Sequence, residues 1–196
     1  MKKTLAILVS LVGAIALFGC ESNVQRPTYA DITFAHKAPI LLDVAEIIIR
    51  SDYKSSFTTP NVEHELPVDL NAIAQLWASD RLKATGSEGR LTFVVTDASV
   101  IEVPLEKTDG LTGIFTTDQS EKYKARIVVT LDAENPMGGR MANTSAEVGR
   151  SQTVGEDVTL NQREAIWYGM AEKMANDLDA QLDANVRSYL KDFILK

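Results

Sequence analysis

Apolar residues recur at period two or at helical spacing along most of the chain, and these periods predict six elements. Ile40, Leu42 and Val44 alternate before Ile47 and Ile49 shift phase, which predicts a strand over 40–50 with a bulge near Ala45-Glu46. After a polar, turn-like stretch, Pro67 stands near the start of a helix. Leu70, Ile73, Ala74 and Trp77 follow at i, i+3, i+4 and i+7, so they paint one apolar face. Gly86-Ser87-Glu88-Gly89 is the predicted stop. Leu91, Phe93 and Val95 then alternate with Thr92, Val94 and Thr96. Apolar content continues through Val100, Ile101 and Val103 to Pro104, which fits one long bent strand or two short ones.

Tyr123, Ala125, Ile127, Val129 and Leu131 alternate with Lys124, Arg126, Val128 and Thr130, a half-buried strand. Asn135-Pro136-Met137-Gly138-Gly139 is a turn cluster, and Ala142, Thr144, Ala146 and Val148 repeat at two beyond it. The pair predicts an antiparallel hairpin. Thr159 and Gln162 make a capping box. The helix behind it is expected from Leu160 to about Phe193, with Leu160, Ala171, Leu182 and Phe193 in one row and Trp167, Leu178 and Tyr189 in another. Eleven residues in three turns is close to the natural period, so the stripe stays on one side. A helix lying along a sheet fits this better than a coiled coil.

The order β-α-β-β-β-α predicts an α+β two-layer sandwich: a largely antiparallel four-stranded sheet with two helices on one face. The long helix would run about 50 Å, against a diameter of about 40 Å for a compact domain of this size. Its last turns, with Val186, Leu190 and Ile194 as an i+4 ladder, are therefore expected to overhang and offer a contact surface.

The first twenty residues do not belong to this pattern. Lys2 and Lys3 precede an apolar run from Leu5 to Leu17, the length of a secretory signal core and too short for a comfortable membrane span. The run ends in Leu17-Phe18-Gly19-Cys20, and Cys20 is the single cysteine of the chain. This ending resembles the lipobox of bacterial lipoproteins. The resemblance implies cleavage after residue 19 and acylation of Cys20, the membrane being a partner through that anchor. By resemblance to the sorting rule of Gram-negative lipoproteins, Glu21 in place of aspartate favours the outer membrane over retention at the inner one. Residues 1–19 are thus expected to be a signal peptide, 20–38 a lipidated start with a polar tether, and 39–196 a single periplasmic domain.

Removing residues 1–19 leaves 18 basic residues against 27 acidic ones, a net charge of −9. That balance argues against nucleic acid or anionic headgroups as main partners. With one cysteine no intramolecular disulfide can form. Neither histidine suggests chemistry: His36 falls in the tether, and Glu63-His64-Glu65 cannot converge on one ion from an extended segment. No nucleophile elbow or phosphate loop is present, so no catalytic residue, cofactor or metal is assigned. Asp177, Asp179 and Asp183 read as the solvated face of the long helix. The connection from Glu106 to Ser120 is long for a strand-to-strand link and carries Leu111, Ile114 and Phe115, which tuck over a sheet end or form an apolar lip for a partner or lipid.

Over Pro60 to Leu82, Val95 to Leu131 and the helix from Leu160, the chain looks like small uncharacterised lipoproteins of Gram-negative envelopes, particularly alphaproteobacterial ones. More remotely, its element order is similar to that of lipopolysaccharide-assembly lipoproteins and auxiliary lipoproteins of lipid transporters. The resemblance implies a non-catalytic interaction or accessory module for envelope assembly or transport, with an envelope protein as partner. The alternative is a carrier holding a lipid or other apolar ligand between sheet and helices.

Overall fold

A computed structural model describes residues 27–105 and 119–195. The elements are β1 (Ile40–Leu42), β2 (Glu46–Ser51), α1 (Leu70–Arg81), β3 (Leu82–Ala84), β4 (Arg90–Pro104), β5 (Gln119–Asn135), β6 (Arg140–Gly155) and α2 (Leu160–Tyr189). Four strands form the main sheet in the order β2-β4-β5-β6. β4, β5 and β6 pair antiparallel, and β2 joins β4 in parallel. The architecture is the expected α+β sandwich with both helices on one face and a long C-terminal helix.

The alternation seen in the sequence decides which face is covered. Leu91, Phe93 and Val95 of β4 and Tyr123, Ile127, Val129 and Leu131 of β5 are buried together under the helices. Trp77 of α1 stacks near Phe93 at 6.0 Å, and Trp167 of α2 meets Tyr123 edge-on at 5.1 Å. The Trp167 indole N–H has no acceptor among the described residues, so this side chain contributes by packing alone. Alanine at Trp167 is expected to cost about 3–5 kcal/mol in denaturant unfolding; a loss under about 1 kcal/mol would place the ring outside the core.

Both helix starts follow their sequence signals. Asp69 caps α1 through the N–H groups of Asn71 and Ala72, at 2.8 and 3.3 Å. Thr159 and Gln162 close the reciprocal capping box on α2. The hairpin turn is held by Asn135, whose side chain accepts from Gly138 N at 2.9 Å, while Gly139 takes φ of 63°, where a side chain would be strained.

Three boundaries differ from the pattern. Residues 40–50 are not one bulged strand, because the chain breaks at Asp43–Ala45. β1 pairs in parallel with β3 in a separate two-stranded sheet, while β2 joins the main sheet. The bulge lies instead in β4, between Val95 and Asp97, and lets a single strand run to Pro104. α1 stops at Arg81, before the glycines, since Leu82 turns extended to pair with Ile40. Gly86 instead permits a close approach of two backbone segments, since a Cβ there would lie 2.6 Å from backbone atoms of Asp43 and Val44.

The overhang of α2 does not occur. Its 30 residues rise about 45 Å, but β5 has 17 residues and reaches about 55 Å. The sheet is long enough to underlie the helix, and a spherical estimate of the domain missed this. Val186 and Leu190 are fully buried, and Ile194 is half-buried and bridged to Leu42. The ladder is core. The rows of eleven leave the core only at their ends, where Leu160 and Tyr189 are exposed.

Candidate functional site: the hairpin end of the sheet

Two polar clusters hold the layers together before any site is formed. Asp179 of α2, read from sequence as solvated, is only 4% exposed. It accepts from Trp77 Nε1 at 2.9 Å and Arg81 Nε at 3.1 Å, and it pairs with Lys37. Arg81, equally buried, spends its remaining nitrogens on Asp183 and on the carbonyl of Ala38. α2 has α1 and the N-terminal segment on one flank as well as the sheet beneath, so its buried arc is wider than a single stripe. Burial raises the Asp179 pKa, but the hydrogen bonds from Lys37 and Trp77 and the charges of Lys37 and Arg81 outweigh it and hold the carboxyl below its usual range.

The second cluster centres on Glu63, in a 3₁₀ turn over Glu63–Glu65. Its carboxylate accepts from Tyr53 Oη at 2.6 Å, Ser55 Oγ at 2.5 Å and Val100 N at 3.4 Å. Burial opposes ionisation here, and these donors more than offset it, so the pKa is lowered. Glu63 thus pins the loop after β2 onto β4, while His64 lies outward against Phe57 with ring centroids 5.2 Å apart. Among the described residues no group of three histidine, cysteine or acidic side chains could hold a metal ion.

The surface feature that stands apart is the end of the sheet carrying the β5–β6 turn. Arg140 organises it: its guanidinium lies 5.0 Å over the Phe193 ring and donates to Asp192 O and Asp43 Oδ2, both at 2.7 Å. Leu195 N donates to Leu41 O at 3.0 Å, closing the C-terminus onto β1. Around these anchors, Met137 and Met141 are more than four-fifths exposed, and Leu41, Ile48, Tyr189 and Leu195 also stand out. Only Phe57 and Leu160 join them elsewhere as exposed large apolar side chains among the described residues.

Two adjoining grooves open beside this rim. One, of about 500 Å³, lies on the uncovered face of the sheet between Ile48, Arg50, Val94 and Met141. The other, of about 620 Å³, wraps the edge strand β6 between Thr130, Ser145, Asn185 and Tyr189. They share Asp132 and Asn143. Asn185 Nδ2 donates to Ser145 O at 2.8 Å and so satisfies one carbonyl of the edge strand. Hydroxyl and amide groups, with Arg50, Arg90, Asp132 and Glu134 beside them, line these grooves next to the apolar rim. Such a mixture suits another protein surface, where polar groups need partners and large side chains fill gaps.

Of the residues singled out by sequence, Val186, Leu190 and Ile194 lie beneath this end and support it rather than face solvent. Their helical neighbours Asn185 and Tyr189 are the ones that line the groove. Cys20, with the signal segment, and Leu111, Ile114 and Phe115 fall outside the described residues. Met141 and Ile48 were missed because an exposed apolar residue on a strand reads as ordinary alternation until the uncovered face is known, and Met137 because it sits within a turn cluster read only for its turn residues.

The sequence matches no protein-family model and no curated protein. Solved structures with a similar course of chain include a minor lipoprotein from Acinetobacter baumannii, 13% identical, covering 71% of this chain and 93% of that one with a TM-score of 0.35. Rare lipoprotein B from Shewanella oneidensis is 12% identical, with 71% and 94% covered and a TM-score of 0.36. Both are bacterial lipoproteins.

Proposed function

We propose that this chain is a lipid-anchored envelope protein whose domain is a non-catalytic interaction module, serving assembly or transport at the outer membrane. The lipobox-like ending at Cys20 supports the anchor. The observation that carries the interaction role is the gathering of Met137, Met141, Tyr189, Leu41, Leu195 and Ile48 round one end of the domain, since exposed apolar clusters mark contact surfaces. The carrier alternative has less room: Trp77, Phe93, Tyr123, Met174 and Leu178 fill the space between helices and sheet.

Two experiments test the two halves of this reading. Cys20→Ser should move the protein from the membrane fraction to the soluble one; sedimentation with membranes after a high-salt wash would refute the anchor. A photo-crosslinking residue at Met141 should give a discrete protein adduct in intact cells. The Met137→Asp substitution should suppress that adduct without lowering the melting temperature. Adducts to lipid alone, or an adduct indifferent to Met137→Asp, would remove the interaction role from this end.

A further inference from the structure

Residues 29–38, expected as a free tether, are docked along the helical layer. The Tyr29 ring stacks on Tyr168 of α2 at 4.8 Å, and Tyr168 Oη donates to Ala30 O at 3.1 Å. Phe34 is buried, with its N–H on Asp80 Oδ2 at 2.8 Å. Lys37 and Ala38 bind Asp179 and Arg81, and Leu42 bridges Ile194. The partners on α2 and beyond advance from 168 to 179 to 194, so the segment runs alongside α2 in the same direction. Thirteen peptide steps lead from Tyr29 to Leu42, with one turn at Phe34–Lys37 closed by Lys37 N donating to Phe34 O at 2.9 Å. These contacts carry the segment from the Tyr168 end of the helix to beyond its last turn.

This strap fixes where the chain leaves the domain. Eight residues lie between Cys20 and Tyr29, and nine peptide steps reach at most about 30 Å. The hairpin end lies past the last turn of α2, at least about 30 Å along the helix from Tyr168. We infer that the strap seats the domain on its bilayer by the end where α2 begins, and turns the apolar hairpin end away from that bilayer toward a protein partner. The net charge of −9 without residues 1–19 disfavours lying flat on an anionic leaflet. This rests on the proposed anchor, and it assigns the exposed methionines to a protein rather than to the membrane that holds the chain.

The test uses the full lipidated protein in vesicles of phosphatidylethanolamine and phosphatidylglycerol carrying an acceptor dye on the headgroups. Acylation consumes the Cys20 thiol, so a donor dye can be placed at Leu160→Cys or Met137→Cys, both well exposed. An axial separation of about 30 Å or more should make energy transfer at least about twofold more efficient from position 160. Insertion of about twenty Gly/Ser residues after Asn23 should erase that difference while the protein still floats with vesicles. Equal or greater transfer from position 137, or a difference that survives the insertion, would overturn the orientation while leaving the anchor standing. Failure of the unsubstituted lipidated protein to float would overturn both.

Discussion

Alanine in place of Asp179 is expected to cost about 3–5 kcal/mol, as breaking a buried ion pair from one side generally does. The loss has identifiable parts. Trp77 Nε1 would have no acceptor, Arg81 would keep only Asp183 and the Ala38 carbonyl, and Lys37 would be released. Trp77 and Arg81 are desolvated against that carboxylate, whereas the Lys37 side chain stays 39% exposed and adds less. At about 2–4 °C per kcal/mol for a domain of this size, the melting temperature should fall on the order of 10 °C. Limited proteolysis should also begin to cut within residues 27–38, because the strap loses one of its fastenings. A variant within about 1 kcal/mol of the parent would show that the cluster is no more than a surface ion pair in strength.

Acid should reveal the same group. The folded Asp179 carboxyl lies below the ordinary aspartate value, while unfolding returns it to about 3.9. Its contribution is therefore fully present well above that value and is lost as pH falls through the folded pKa. Stability measured from neutral pH downward should drop below about pH 4, and Asp179→Asn should flatten part of that drop. A variant with an unchanged acid limb would assign the drop to other carboxylates, Glu63 being the next candidate with a lowered pKa.

What could be read from sequence was whatever a local period or a cap encodes. The hairpin, the two-layer arrangement and the capping box at Thr159 depend on residues close together in the chain, and each signal is redundant over several positions. Pairings across long separations left no such trace. Leu82-Lys83-Ala84 is permissive for helix, and only the presence of β1 makes it a strand. Asp179 is 98 residues from Arg81 and 142 from Lys37, so nothing near it distinguishes it from Asp177, which faces solvent and pairs with Arg150. The candidate site suffered from the same limit. It is defined by which face of the sheet stays uncovered and by which side of α2 the last turn presents, both tertiary facts.

Truncation after Asn185 is the change expected to have the largest effect, and the outcome is the reverse of what an overhanging helix would give. It removes Val186, Leu190 and Phe193, all essentially inaccessible to solvent. At about 1.5–3 kcal/mol per large buried side chain, this forfeits roughly 5–9 kcal/mol. It also deletes the acceptor Phe193 O for Asp43 N at 2.7 Å, the Leu42–Ile194 bridge and the ring beneath Arg140. Those contacts close β1, the β1–β2 break and the hairpin onto one another, so their loss would open the end that carries the candidate site. Set against the 5–15 kcal/mol typical of a whole domain, the deficit is large enough that the shortened chain should show no cooperative thermal transition. The milder Phe193→Ala, costing about 3–5 kcal/mol, should leave a folded protein in which the Met141 crosslink is weakened because Arg140 has lost its platform. Near-parental stability of the truncated chain would mean that the last turns of α2 are an appendage after all. The rim at Met137 and Met141 would then need a different support.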